Sequence, residues 1–257
     1  MITSTSNKKI KDVISLTKKA SARREAELFV VEGIKMFSEI PAEDIAEIYA
    51  SESFLENAPA GCLEGLEEKC EAVTDTVYAY MSDTKTPQGI LALVKQKDYE
   101  LEEMLGTKPA LLILETLQDP GNLGTIVRMA EATGITGIIM NESTCDIYNP
   151  KVVRSTMGAI FRVPFMYTKD LEGTIEELKA GGVKTYAAHL EGKESYDKFD
   201  YRGPAAFMIG NESNGLSERI AALADEKIII PMLGKVESLN AAIAASVLSF
   251  ELARQRR

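Results

Sequence analysis

The sequence predicts an α/β protein whose larger part is a parallel sheet covered by helices on both faces, and three observations support this. From residue 110 onward, short apolar runs alternate with helix-length stretches, the βα grammar of a parallel sheet. The runs Leu111-Leu-Ile-Leu114 and Ile228-Ile-Ile230 are continuously apolar rather than alternating, as strands are when helices bury both faces. Three of the strand-to-helix junctions carry polar turns rich in Gly, Asn, Ser and Glu, and an open parallel sheet binds ligands outside the carboxyl ends of its strands.

The first hundred residues read as a smaller α/β unit. Residues 7–20 have helical spacing, with Ile10, Ile14 and Leu16 or Thr17 inward, and 28–31 form an extended run. Residues 47–50 and 89–94 read as strands, with short helices at 51–58 and 76–81. The polar stretch 96–109 ends in Gly106 and Pro109, which places a boundary near 97–108 and domains at 1–100 and 105–257. In the second domain, strands are expected at 110–114, 137–140, 163–167, 184–188, 205–209 and 227–231. Helices are expected at 121–132, 152–160, 171–180, 217–224 and 239–256.

Composition narrows the function classes. With 257 residues and 45% apolar content a normal core is available. No window approaches the roughly 18 uncharged apolar residues of a membrane span, and the start lacks the apolar core of a signal peptide, so a cytosolic protein with no membrane partner is expected. Cys62, Cys70 and Cys145 form an odd set without CxxC spacing, and there is one histidine; neither a metal site nor a disulfide framework is expected. Cys145 reads as an incidental thiol more readily than as a nucleophile. The net charge of −10 runs against a nucleic-acid partner, but its distribution does not. Residues 1–35 carry eight basic side chains against four acids, and residues 36–100 carry four against fourteen. The cluster of Lys8, Lys9, Lys11, Lys18, Lys19, Arg23 and Arg24 suits either a solvated helix face or an RNA footprint.

Three segments carry the chemistry: Asp119-Pro-Gly-Asn-Leu-Gly-Thr-Ile-Val-Arg128, Phe207-Met-Ile-Gly-Asn-Glu-Ser-Asn-Gly-Leu216, and the run from Ile230 to Val247 that contains Ser238-Leu-Asn240. Gly121-x-x-Gly124 fits neither GxxxxGKS nor GxGxxG, which disfavours ordinary nucleotide binding. Arg128 lies among Ile126, Val127, Met129 and Ala130 and needs a partner. That partner is either a structural acid, Glu115 or Glu131, or a phosphate or ribose oxygen suited to its planar fork. Glu212 is either a solvated turn residue or a carboxylate held in a pocket, and Ser238 with Asn240 sets a hydroxyl and an amide at a helix start.

Together these segments resemble the three signature motifs of the SpoU (TrmH-type) RNA ribose methyltransferases. Asn122 and Arg128 match the first motif, Gly210 and Glu212 the second, and Pro231, Ser238, Leu239, Asn240 and Ala241–Ala245 the third. Asn149–Ile160 is similar to the family's linking segment, and Arg24 with Phe29-Val-Val-Glu-Gly33 resembles the small substrate-binding domain of the ribosomal-RNA branch, which has a ribosomal-protein-like α/β fold. The resemblance implies a C-terminal trefoil knot, a homodimer, and S-adenosylmethionine as cofactor, with main-chain contacts from Gly210, Ile230 and Leu239. It implies methyl transfer to a ribose 2′-hydroxyl of RNA, ribosomal RNA before transfer RNA, without a metal. Asn122 would orient the hydroxyl or Arg128, and Arg128 would position the ribose and stabilise the emerging alkoxide. Glu212 would hold that constellation, and Ser238 and Asn240 would shape the substrate side. The competing readings are a non-catalytic RNA-binding protein on the same scaffold and an enzyme acting on a small acidic metabolite.

Overall fold

Two units separate in the computed structural model, which describes residues 1–257: one is built from Met1–Lys97 with Asp146–Phe161, the other from Asp98–Cys145 with Arg162–Arg257. A cut near residue 100 assigns 146–161 to the second domain; in space it packs with the first.

In the first unit, helices α1 (Lys8–Lys18) and α2 (Ala20–Ala26) precede strand β1 (Leu28–Glu32), and helix α3 (Ile34–Phe37) follows. Strand β2 (Ile45–Ser51), helix α4 (Glu52–Asn57), strand β3 (Cys70–Val73), helix α5 (Asp75–Met81) and strand β4 (Ile90–Lys95) complete the N-terminal part. The sheet order is β1-β4-β2-β3, antiparallel except for β2 with β3. The helix expected over 7–20 is α1 and stops at Lys18, because Lys19 is extended (φ −122°, ψ 120°), and α2, which was not expected, follows at once. The break is occupied by Arg23, 3% exposed, whose Nη1 donates to the carbonyls of Leu16 (2.6 Å) and Thr17 (3.3 Å). These are the carbonyls a helix end leaves open. On α1 the fully buried residues are Ile10, Val13 and Leu16, and Ile14 packs partly buried against the same core.

The second face of Arg23 grips the inserted segment: its Nε and Nη2 both donate to Asp146 Oδ2, at 2.9 and 2.5 Å. Arg23 is therefore a structural residue and is withdrawn from the proposed RNA footprint, and Lys9 is tied to Glu71 at 3.2 Å. Arg23→Ala is expected to lower stability by about 3 kcal/mol, the scale for uncovering one partner of a largely buried pair. Urea unfolding of the full chain measures it.

The second unit begins with helix α6 (Leu101–Met104) and continues through strand β5 (Ala110–Leu114), helix α7 (Pro120–Thr133) and strand β6 (Gly137–Asn141). The chain then contributes helix α8 (Pro150–Thr156) to the first unit. It returns as strand β7 (Phe165–Thr168), helix α9 (Leu171–Ala180), and strands β8 (Lys184–Ala188), β9 (Glu194–Ser195) and β10 (Ala205–Ile209). Helix α10 (Glu218–Ala221), strand β11 (Glu226–Ile229) and helix α11 (Ala241–Gln255) follow. All seven strands are parallel, in the order β7-β6-β5-β10-β8-β11-β9. Residues 110–114 and 205–209 are entirely buried, the pattern that their unbroken apolar character predicts. Leu111, Ile113 and Met208 meet Ile175, Leu178 and Ile220 in one cluster, while α7 and α11 pack together and α11 lies on β10. The helix expected over 152–160 stops at Thr156, because Met157 takes a left-handed conformation (φ 52°) and Gly158 continues with φ 93°. A Cβ on Gly158 would lie 2.8 Å from Glu39, so this turn admits only glycine.

Candidate active site

The three motif turns gather at the carboxyl ends of the parallel strands. β5 and β10 are neighbours in register up to Leu114 and Ile209, so the turns after them emerge side by side. The turn after β11 leads to α11, which packs on α7.

The turn after β10 closes on itself: Asn211 and Gly215 exchange backbone hydrogen bonds of 3.0 and 2.9 Å. Asn211 Oδ1 accepts from the N–H groups of Ser213 and Asn214, and its Nδ2 donates to the Thr116 carbonyl at 2.9 Å. A Cβ on Gly210 would fall 2.0 Å from the Gly215 backbone, a separation that no side chain tolerates. Thr116 is itself left-handed (φ 57°), a costly state for a β-branched residue. It is clamped on every polar atom: Asn141 Oδ1 accepts from its N–H, Asn141 Nδ2 donates to its hydroxyl, and Asn211 donates to its carbonyl, each at 2.8–2.9 Å. Glu115 fastens the far end of the second turn, accepting from the Ser217 N–H and hydroxyl at 2.7 Å. None of Thr116, Asn141 and Asn211 stands out in the sequence; an amide at or just past the end of an apolar strand is the one local cue.

Across these turns runs a chain of hydrogen bonds that joins all three motifs. Asn240 caps α11, its Oδ1 accepting from the N–H groups of Ala242 (2.9 Å) and Ile243 (3.3 Å). That contact turns its Nδ2 toward Asn122, where it donates to Oδ1 at 2.9 Å. Asn122 in turn donates from Nδ2 to Glu212 Oε1 at 3.0 Å. Glu212 also accepts from the N–H groups of Asp119 (2.9 Å, Oε1) and Gln118 (3.1 Å, Oε2). Each amide orientation is thus set by its neighbour, and the chain must end on a group that only accepts. Partial burial of Glu212 opposes its charge, yet the donors from Asp119, Asn122 and Gln118 prevail and hold its carboxyl below the ordinary glutamate value.

Beside this chain lies a cavity of about 270 Å³ between the turns after β8, β10 and β11. Gly210, Ile230 and Leu239 line it, as do Glu212 and Ser238, with apolar walls from Ile228 and Leu216. Asn122 and Asn240 do not line it; Asn122 is bonded to Glu212, and Asn240 lies between the lining residues Leu239 and Ala241. Arg128 stands apart: it is exposed on α7 and contacts neither the cavity nor the chain. Neither acid weighed as its structural partner takes it, since Glu115 holds Ser217 and Glu131 pairs with Arg162.

Residues 109–250 match the SpoU rRNA Methylase family, and residues 7–92 match the MRM3-like substrate binding domain. The chain is 31% identical over 253 residues, 98% of each chain, to the 23S rRNA (guanosine(2553)-2′-O)-methyltransferase RlmP of Bacillus subtilis. Among solved structures, the AdoMet-bound rRNA methyltransferase from Sinorhizobium meliloti superposes with a TM-score of 0.85 at 30% identity, covering 98% of this chain and 97% of that one. The SpoU methyltransferase AviRb from Streptomyces viridochromogenes, in complex with AdoMet, gives 0.86 at 25% identity, covering 97% and 98%.

Proposed function

Because the chain belongs to the SpoU rRNA methylase family, we propose that it transfers a methyl group from S-adenosylmethionine to a ribose 2′-hydroxyl of ribosomal RNA. The observation that carries this reading is the hydrogen-bonded chain Asn240–Asn122–Glu212 at the rim of the cavity. The cavity suits the cofactor: apolar walls for an adenosine, a Gly210 turn in which no side chain fits, and carboxylates rather than cations. Gly210, Ile230 and Leu239 would offer main-chain contacts there. When bound, the cofactor supplies an electrophilic methyl on a sulfonium.

The protein's part is alignment and charge. Glu212 fixes the turns after β5 and β10 against each other, and Asn122 and Asn240 hold α7 to the start of α11. The Ser238 hydroxyl, on the cavity wall without an intramolecular hydrogen bond, faces the substrate side. Arg128, exposed and without an acid partner, presents its guanidinium to ribose or phosphate oxygens and stabilises the alkoxide formed as the 2′-hydroxyl proton leaves. Incubating the purified protein with ribosomal RNA and methyl-labelled S-adenosylmethionine, then mapping 2′-O-methyl nucleotides, tests the reading. Label on transfer RNA alone would move the target, and no label with bound cofactor would favour a non-catalytic RNA-binding role.

RNA binding is assigned to α1 and α2. Lys8, Lys11 and Lys18 recur along the exposed side of α1, Lys19 and Arg24 follow, and none has an acid partner. Replacing Lys8, Lys11 and Lys18 by Gln is expected to reduce the salt dependence of RNA binding by about 2 in log–log slope. Filter binding across a salt series measures it.

The same reading includes a homodimer and the trefoil knot of the family. On α11, Ile243 (50% exposed) and Phe250 (49%) flank Val247 on one outward stripe, a surface suited to a second copy. Phe250→Glu is expected to shift the full chain from dimer to monomer in analytical ultracentrifugation. A cytosolic location accords with an RNA substrate; no helix is long and apolar enough to cross a membrane.

A further inference from the structure

Two carboxylates, Glu212 and Glu237, line the cavity together with His189, and no lysine or arginine does; Lys235, two residues before Glu237, is exposed and is not part of the lining. Lys227, on the strand that ends in the cavity wall, is neutralised by Glu191 at 2.8 Å. The two glutamates are not equivalent. Glu212 already accepts three hydrogen bonds, from two backbone N–H groups and Asn122, so much of its charge serves the fold. Glu237 lies exposed in the turn between β11 and α11, one residue before Ser238, and has no hydrogen-bond or ion-pair partner in the chain. It is the carboxylate with its charge left over for a ligand.

Resting on the function proposed above, we infer that Glu237 determines specificity between the two forms of the cofactor, favouring the sulfonium form over the product. S-adenosylmethionine carries a sulfonium, an ammonium and a carboxylate, for a net charge of +1. Transfer moves the methyl group to the ribose oxygen and releases the hydroxyl proton, and the sulfur keeps its bonding pair as a neutral thioether. S-adenosylhomocysteine therefore has net charge zero and almost the same shape. Shape and apolar contact bind the two alike, and a difference in affinity has to come from charge. Both forms keep the ammonium and the carboxylate, so an unpaired carboxylate on the wall tells them apart through the sulfonium charge that only the cationic form carries. Product then leaves a site that the next cofactor prefers.

Isothermal titration of the full-length protein with S-adenosylmethionine and, separately, with S-adenosylhomocysteine tests this. Glu237→Gln is expected to weaken S-adenosylmethionine by about three- to fivefold, the size of one solvent-exposed charge pair, while S-adenosylhomocysteine changes by less than about twofold. Glu237→Lys should lower the affinity ratio further, and added salt should narrow the wild-type ratio. An unchanged ratio in both variants, or equal losses for both ligands, overturns the role of Glu237 and leaves the methyltransferase reading standing. Wild-type protein that binds neither ligand overturns both.

Discussion

Glu212→Gln is expected to lower methyl transfer by about a hundredfold, although it changes one atom and no volume. Both carboxylate oxygens accept from N–H donors, Oε1 from Asp119 and Asn122 and Oε2 from Gln118. A glutamine must point its NH₂ at one set, which puts donor against donor. The turns after β5 and β10 then lose their common anchor, and a displacement of about 1 Å at reacting groups costs about 10² in rate. Asn240→Asp tests the other end: its carboxylate still caps α11 but has no N–H to give Asn122, so stability should hold while turnover falls. Steady-state kinetics beside thermal unfolding separates the two, and full activity in Glu212→Gln would exclude the hydrogen-bonded chain from catalysis. The pH dependence has a fixed sign. The folded Glu212 carboxyl titrates below the ordinary value of 4.5, so its stabilisation is complete above about that pH and is lost as pH falls through the folded value. Glu212→Gln removes that part of the acid sensitivity.

Arg128→Ala is expected to reduce turnover by about 10²–10³, the loss found when one donor to a developing oxyanion is removed, with cofactor affinity unchanged. The second half follows from geometry, because Arg128 does not line the cavity. The residue is exposed, so the variant should fold normally. Arg128→Lys should also be poor, since an ammonium lacks the planar fork. Calorimetry of cofactor binding together with single-turnover methyl transfer decides the matter; weakened cofactor binding with normal chemistry would place Arg128 on the cofactor side instead.

How far the sequence was legible depended on the range of each interaction. The parallel sheet was readable because Leu111–Leu114 and Ile228–Ile230 carry their burial in local composition, and the motif turns because they sit at strand ends. The hydrogen-bonded chain was not. Asn122 is separated by 90 residues from Glu212 and by 118 from Asn240, and only the sheet order β5-β10 and the packing of α11 on α7 bring them together. Arg23 was misread for the same reason: among lysines it looks like surface charge, whereas the partner that buries it, Asp146, lies 123 residues away. Thr116 had no local signal, since its left-handed backbone is imposed by two distant asparagines. Strands β3 and β9 escaped notice because both are short sheet-edge segments with little buried apolar sequence.

The placement of residues 146–161 bears on how such a protein can be cut or exchanged. Ile147, Tyr148, Val152, Val153 and Ile160 in this stretch are buried, and Phe29 stacks near both Tyr148 and Phe161. A fragment that begins near residue 105 keeps this greasy loop and discards the surface that shields it, so it would emerge sticky whatever the state of its own sheet. The first unit is thus not a detachable cassette at the amino end. Swapping the substrate-binding domain between relatives means transplanting two separate stretches of chain together, and any grafted N-terminal part must come with its own 146–161.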